Sequence, residues 1–161
     1  MESFRKTLSF ISDKLKVVGA VFLFGMAVLT CLDVIGRLFK YPIFGSVELV
    51  SFMGVIAVAC SLPFTHIEGG HIGVELVVRK FSRKIRDIIK LCTEVLSLIL
   101  FSLVTWKMFE YYIKVKNSGE LSMNLQLPEY WVIFLLGCGF VILTIAIAYS
   151  ILKTISNLSK I

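Results

Sequence analysis

Hydrophobic residues along this chain are gathered into four long runs, separated by polar and charged stretches. The runs cover residues 17–36, 49–65, 88–106 and 130–152. Each is close to the roughly 20 residues that an α-helix needs to cross about 30 Å of hydrocarbon. Backbone polar groups find no water inside a bilayer, so a helix is the form expected for each run. The pattern therefore predicts four transmembrane helices, at about residues 17–38, 47–66, 86–114 and 129–153.

The first 16 residues have a different pattern, with charges between regularly spaced apolar positions. Phe4, Leu8, Ile11 and Leu15 recur at helical spacing. This predicts an N-terminal amphipathic helix over residues 1–16 that lies in the membrane interface. A cleaved signal peptide is the alternative, because a short apolar core follows and residues 25–27 loosely resemble a cleavage site. An interfacial helix leading into an uncleaved span fits the pattern better.

Composition makes a membrane the natural solvent for this chain. Of its 161 residues 57% are hydrophobic, and the mean hydropathy of +0.88 is well above that of soluble domains. The net charge of +6 is explained by topology, because twelve of the 17 Lys and Arg residues lie in the N-terminal segment, the second connection and the tail. The positive-inside rule then predicts that both termini are cytoplasmic. No basic groove with interleaved aromatic residues indicates nucleic acid as a partner. We expect an all-α integral membrane protein with a single domain over residues 1–161.

The second connection is the most basic part of the chain. Its sequence "HIGVELVVRKFSRKIRDIIK", residues 71–90, places apolar residues on one stripe of a helix. The basic face of that helix would meet anionic headgroups. A charged face that is simply solvated is the alternative, and the two overlap.

Residues suited to catalysis are sparse. The four cysteines are isolated in or beside apolar runs, as expected of buried thiols: Cys31, Cys60, Cys92 and Cys138. His66 and His71 flank one membrane edge, whereas haem ligation across two helices needs histidines within the spans. No nucleophile elbow, phosphate loop or zinc motif is present. We therefore expect no enzyme activity, no cofactor and no metal.

Charged residues do occur at the borders of the first two apolar runs. Asp33 and Arg37 are spaced i,i+4, at which helical side chains meet. Pro42 and Gly45 break the helix, after which Ser46 is a candidate cap and Glu48 falls in the first turn of the next helix. A structural pair and cap explain these residues, and a surface for a partner protein is the functional alternative.

Glu94 is the acid placed furthest inside an apolar run, four residues after Lys90. A snorkelling pair near the cytoplasmic edge is favoured over a transport carboxylate. The spans also lack internal repeats and a polar midplane cluster, which secondary transporters usually have. The chain is therefore expected to act beside another protein. The rival hypothesis is a self-sufficient four-helix proton-coupled antiporter, with Glu94 or Asp33 at mid-depth in a dimer cavity.

Small residues form a stripe on the second span, at Gly54, Ala57 and Ser61. Such stripes let helices approach closely in membranes, where dispersion contacts replace the hydrophobic effect. The stripe fits a contact with a partner or with another helix of this chain equally well.

Three stretches carry a resemblance to a known family. "DVIGRLFKYPIFGSVELVSFMG", "GGHIGVELVVRKF" and "LQLPEYWVIFLLGCGFVIL" are similar to the small membrane subunit of tripartite ATP-independent periplasmic (TRAP) transporters, the DctQ-like family. The resemblance covers about residues 28–143. Seven of the matching positions are candidate interface or structural residues: Asp33, Arg37, Pro42, Glu48, His71, Pro128 and Trp131. The small residue Gly54 is a further candidate.

The resemblance implies a bacterial inner-membrane complex for sodium-coupled uptake of organic acids, of the C4-dicarboxylate or sialic acid type. A large DctM-like membrane subunit would carry substrate and sodium ions, and a soluble periplasmic protein would deliver the substrate. The small subunit would have no substrate site and would pack beside the fixed scaffold of the large one. Asp33, Arg37 and Glu48 would stabilise that contact and the outward-facing loop. The outer loops, about residues 38–47 and 114–129, are candidate contacts for the binding protein.

Overall fold

Four long helices make up the architecture of the computed structural model, which describes residues 2–67 and 83–158. They are α1 (Glu2–Leu38), α2 (Ser46–Ile67), α3 (Arg83–Ser118) and α4 (Tyr130–Leu158). All four are long and apolar enough to cross a membrane. Within the described ranges the chain is all-α, as the sequence predicts, apart from one isolated bridge between Leu121 and Pro128. His71 and most of the predicted basic helix of residues 71–90 lie outside the described residues.

The first helix is continuous from the N-terminal segment into the first apolar run. It begins at Glu2 and ends at Leu38, and its membrane-compatible part covers Phe10–Leu38. The expected helical form of the early residues is therefore present without a break before the span. That the first 16 residues lie in the membrane interface stays a prediction.

The helices are arranged as an open row rather than a closed bundle. In the described parts of the chain α1 packs on α2, α2 on α4, and α4 on α3, so the order in space is α1, α2, α4, α3. The two outer helices bury smaller shares of their spans than the two inner ones. Many large apolar side chains are consequently exposed, as expected of surfaces that meet lipid or another membrane protein.

Small residues set the close contacts in this row. A Cβ on Gly139 of α4 would lie 2.6 Å from the carbonyl oxygen of Ala59 in α2. A Cβ on Gly19 of α1 would lie 2.7 Å from the Ser61 hydroxyl. Backbones approach closely only where side chains are this small, so these glycines fix the spacing of α1, α2 and α4.

The two loops between helices in the described ranges lie at the same end of the helix axes, which we call the loop end. It comprises residues 39–45, between α1 and α2, and residues 119–129, between α3 and α4. The N-terminus of α1 and the C-terminus of α4 are at the opposite end. The loop end contains most of the polar contacts between elements.

Candidate functional site

Asp33 is the centre of the polar contacts between α1 and α2. It is only 7% exposed, although it lies in the last two turns of a membrane-compatible helix. Its Oδ2 accepts a hydrogen bond from Arg37 Nε at 2.8 Å, and its Oδ1 accepts one from the backbone N of Ile43 at 2.9 Å. The Ser46 hydroxyl, at the start of α2, is also placed to donate to it. One carboxylate thus ties the end of α1, the following loop and the start of α2 together.

The i,i+4 pair foreseen from the sequence is therefore present, but it does more than pair two charges. Arg37 is more than half exposed, while Asp33 faces inward. A buried carboxylate needs several donors to offset its lost hydration, and three elements supply them here. The pair organises the loop at this end of α1.

Glu48 performs the corresponding function for the second loop. Its Oε2 accepts a hydrogen bond from the backbone N of Leu125 at 2.8 Å, and its Oε1 accepts one from Asn124 N at 3.3 Å. The Ser122 hydroxyl and the backbone N of Met123 are also placed to donate to this carboxylate. Successive backbone N–H groups that converge on one anion form a nest. The first turn of α2 thereby holds the connection between α3 and α4.

The second loop is shaped by its own hydrogen bonds as well. Ser122 is 3% exposed, its backbone N donates to Leu127 O at 2.9 Å, and its hydroxyl accepts from Leu127 N at 3.1 Å. Gln126 has a φ of 51°, which turns the chain between these two contacts. A Cβ on Gly45 would lie 2.5 Å from Leu125 Cγ, so the two loops pack against each other.

The sequence indicated Glu48 as a helix-terminal acid but did not indicate its partners. Ser122, Asn124 and Leu125 are more than seventy residues further along the chain. Their contribution comes chiefly from backbone N–H groups, which every residue type except proline provides. The only signal available was a serine in an otherwise turn-like segment.

The remaining candidates have different surroundings. Pro42 is exposed in the first loop, and Trp131 is exposed in the first turn of α4. Pro128 pairs with Leu121 across the second loop, and α4 begins at Tyr130, two residues after this proline. Gly54 faces α1, because a Cβ there would lie 3.5 Å from Met26 Sδ.

The small-residue stripe of α2 therefore contributes to packing within this chain. Besides Gly54, its member Ala57 is 4% exposed, and the Ala57 carbonyl and Ser61 hydroxyl both lie beside Gly19 of α1. Of the two alternatives left open by the sequence, contact with another helix of the same chain is the one observed for these residues.

Glu94 lies at the far end of the row from the two loops. It is 6% exposed, and its carboxylate accepts hydrogen bonds from Ser150 Oγ at 2.5 Å and Thr154 Oγ1 at 3.3 Å, both on α4. Lys90 Nζ is 3.9 Å away. The expected pair with Lys90 is present, but the closer contacts link α3 to α4. Two hydroxyls four residues apart near the end of the fourth helix were the overlooked signal.

The depths of the two buried acids can be compared along the helices. Tyr112 of α3 contacts Tyr130 at the start of α4, with ring centroids 6.3 Å apart, and this marks the loop end. Glu94 is eighteen residues from Tyr112, or about 27 Å along α3 at 1.5 Å per residue. Asp33 is one turn from the loop end of α1. The two acids thus lie near opposite ends of the row.

Neither acid lines the shallow groove that the described residues form on α3. The groove is lined by Ser102, Thr105, Trp106, Phe109, Glu110 and Ile113. Among residues 2–67 and 83–158, no group of three His, Cys, Asp or Glu side chains is placed to hold a metal ion.

Most of the chain is similar to a known transporter family. Residues 26–157 match the family described as tripartite ATP-independent periplasmic transporters, DctQ component. A search of curated proteins finds no match to the chain. The matched range contains Asp33, Arg37 and Glu48, all of α2 and α3, and all but the last residue of α4. The chain therefore belongs to the DctQ component family of tripartite ATP-independent periplasmic transporters.

Proposed function

We propose that this protein is the small membrane subunit of a sodium-coupled TRAP transporter for organic acids, of the C4-dicarboxylate or sialic acid type. In this function it packs against the scaffold of a large DctM-like subunit and has no substrate site of its own. The observation that carries the proposal is the family match over residues 26–157, which is most of the chain.

The open row of helices supports a function beside a larger partner. The row is only one helix thick, so apolar side chains remain exposed on both of its broad faces. Lipid can cover one face and a membrane subunit the other, because helix association in membranes depends on packing rather than on removal of water. A broad, shallow surface of this kind suits a scaffold contact.

The loop end is the surface that we assign to the periplasmic side of the membrane. With the cytoplasmic termini that the charge distribution predicts, this end would lie on the periplasmic side of a bacterial inner membrane. A periplasmic substrate-binding protein would then dock on the outer face. Asp33 and Glu48 support that function by fixing the shape of the loop end.

The antiporter hypothesis has less support in the geometry. A proton-coupled antiporter needs a carboxylate at mid-depth in a water-accessible cavity. Asp33 is near one end of its helix, and Glu94 is about 27 Å from the loop end with hydroxyl partners on α4. Both acids are accounted for as links between neighbouring elements.

Co-purification tests the proposed assembly. A tagged form of the chain is expressed with the large subunit and the binding protein encoded beside it, and the yield of large subunit is measured after detergent extraction. We expect the large subunit to be retained. Arg37→Glu should reduce that yield, because a carboxylate there repels Asp33 and disorders the loop end.

Lys107→Glu is the matched control, since Lys107 is an exposed cation in an i,i+3 pair with Glu110, away from the loop end. Retention equal to the unmodified chain is expected for this variant. Failure of the unmodified chain to retain any large subunit would contradict the proposed assembly. Equal retention by Arg37→Glu would leave Arg37 with a topological role alone.

A further inference from the structure

The loop between α1 and α2 turns back toward the membrane rather than away from it. The backbone N of Tyr41 donates to Gly36 O at 2.8 Å, and the backbone N of Ile43 donates to Asp33 Oδ1 at 2.9 Å. Residues 41–43 are therefore at the height of residues 33–36, about one helical turn below the end of α1. We call residues 39–45 the fold-back loop.

Close backbone packing holds this geometry. A Cβ on Gly36 would lie 2.5 Å from the carbonyl oxygen of Tyr41, so the loop lies directly against the last turn of α1. Lys40 has a φ of 63° and Gly45 a φ of 72°, and these two left-handed residues reverse the chain at either side. The loop is fixed at this depth by its backbone and by Asp33.

The side chains of the fold-back loop are unusually apolar for a loop and are exposed. Phe39 is 72% exposed, Tyr41 83% and Phe44 73%. They continue the exposed apolar surface of α1, which includes Leu38 and Ile35. Three rings on a fixed backbone, continuous with the exposed apolar surface of α1, have the composition of an aromatic membrane-interface belt.

The charges around the loop fit a phospholipid surface. Lys40 is exposed, and none of the ion pairs among the described residues includes it. The neighbouring carboxylates, Asp33 and Glu48, are occupied by internal hydrogen bonds. What the loop presents is thus aromatic rings beside an ammonium group, which complement the glycerol region and the phosphates of a lipid headgroup.

We propose that the fold-back loop is an interfacial anchor: its three rings lie at the glycerol level of the leaflet at the loop end, and Lys40 reaches the phosphates. The occupant of this surface is the phospholipid of the surrounding bilayer. The loop of residues 119–129 is then the part of the loop end left for a soluble partner. This inference depends on the membrane location of the chain and not on the proposed transport partners.

Depth-dependent fluorescence quenching tests the anchor. The full chain carrying Trp106→Phe, Trp131→Phe and Phe44→Trp is placed in vesicles of phosphatidylethanolamine and phosphatidylglycerol. We expect its emission to be quenched by lipids brominated near the glycerol end of the acyl chain, and to be protected from aqueous iodide. Phe39→Trp in the same background gives a second reading of the same loop.

Two references bracket the measurement. Asn124→Trp in the same background reports the other loop, where the substitution keeps the backbone N–H that Glu48 accepts from. The native Trp106, 72% exposed on α3, is kept in a Trp131→Phe chain as a lipid-facing reference. We expect Asn124→Trp to be quenched strongly by iodide and Trp106 chiefly by bromine deeper in the acyl chain.

Iodide quenching of Phe44→Trp and Phe39→Trp that equals that of Asn124→Trp, with no effect of brominated lipid, would overturn the anchor. Shielding that develops only when the binding protein or the large subunit is added would overturn it as well, because the loop would then be a protein contact. Loss of transport partners without a change in quenching would affect only the proposed function.

Discussion

Glu48 and Leu125 are seventy-seven residues apart in the chain, and a carboxylate oxygen of the first accepts a hydrogen bond from the backbone N of the second at 2.8 Å. Asp33 makes the equivalent contact with the backbone N of Ile43 at 2.9 Å. Two acids at helix ends thus position two loops. Since Gly45 packs against Leu125, the loops form one surface that links α1 to the connection between α3 and α4.

Removing the Glu48 carboxylate should release the second loop. In Glu48→Ala the backbone N–H groups of Asn124 and Leu125 lose their acceptor, so their hydrogen exchange should become faster and the thermal midpoint in detergent should fall. Glu48→Gln keeps one amide oxygen and should lie between Ala and the unmodified chain. The measurement is residue-resolved hydrogen exchange at positions 124 and 125.

Glu120→Ala is the control, because Glu120 is an exposed acid in the same loop and makes none of these bonds. Exchange at Leu125 should be unchanged in this variant. If Glu48→Ala leaves Leu125 as protected as in the unmodified chain, the nest does not hold the loop.

The contact between α2 and α4 should be sensitive to a single methyl group. In Gly139→Ala the new Cβ would lie 2.6 Å from Ala59 O and 3.0 Å from Ala59 Cβ, and neither neighbour can rotate away. The free energy of unfolding should fall by about 1–3 kcal/mol. Unfolding in mixed micelles of increasing denaturing-detergent fraction measures the change.

Gly137→Ala, two residues earlier on the same helix, provides the comparison. Its Cβ would meet only the Phe109 ring, at 3.6 Å or more, which is ordinary contact. We expect this variant to be neutral or more stable by up to about 1 kcal/mol, since alanine favours helix over glycine. Equal effects at both positions would show that α2 and α4 are not in close contact.

The hydroxyls around Glu94 should contribute to the packing of α4 on α3. Ser150→Ala removes the donor to Glu94 Oε1 and leaves a buried carboxylate oxygen without that partner. We expect a loss of about 1–2 kcal/mol in the free energy of unfolding, measured as above.

Thr93→Val tests the same chemistry where no second helix is involved. The exposed Thr93 hydroxyl bonds only to the Ile89 carbonyl of its own helix, so the change should be close to zero. A Ser150→Ala variant as stable as Thr93→Val would mean that the Glu94 contact does not stabilise the pair of helices.

Substitution of Lys40 by glycine should stabilise the protein. It is a non-glycine residue at φ 63°, where the side chain crowds the following carbonyl. Lys40→Gly should raise the free energy of unfolding by up to about 1 kcal/mol, because the strain relieved exceeds the extra entropy of the unfolded chain. Gly119→Ala is the converse substitution. Gly119 has a φ of 68° and open space around it, so the stability lost in this variant should reflect backbone strain alone.

The helices themselves were predictable because the apolar runs are long and interrupted by clear breaks. Proline and glycine at positions 42 and 45 follow the end of the first helix, and Asn117, Ser118 and Gly119 lie at the end of the third. The Asp33–Arg37 pair followed from helical spacing alone. These features depend on residues close together in the chain.

The order of the helices in space was not predictable. Every span is apolar on all sides, so no hydrophobic face indicates which neighbour it meets. The contacts of Glu48 with Asn124 and Leu125 were also beyond reach, because backbone N–H groups carry no sequence signal. The hydroxyl pair at Ser150 and Thr154 was visible in the sequence, but its partner on α3 depended on that unknown order.

Uptake into reconstituted vesicles tests whether the chain acts in transport only together with its partner proteins. Vesicles containing this chain alone, or the chain with its large subunit and the binding protein, are given an inward sodium gradient and a radiolabelled succinate or sialic acid substrate. We expect uptake only in the vesicles that contain all three proteins, and none with the chain alone under a sodium or a proton gradient. Ion-driven flux catalysed by the chain alone would contradict it.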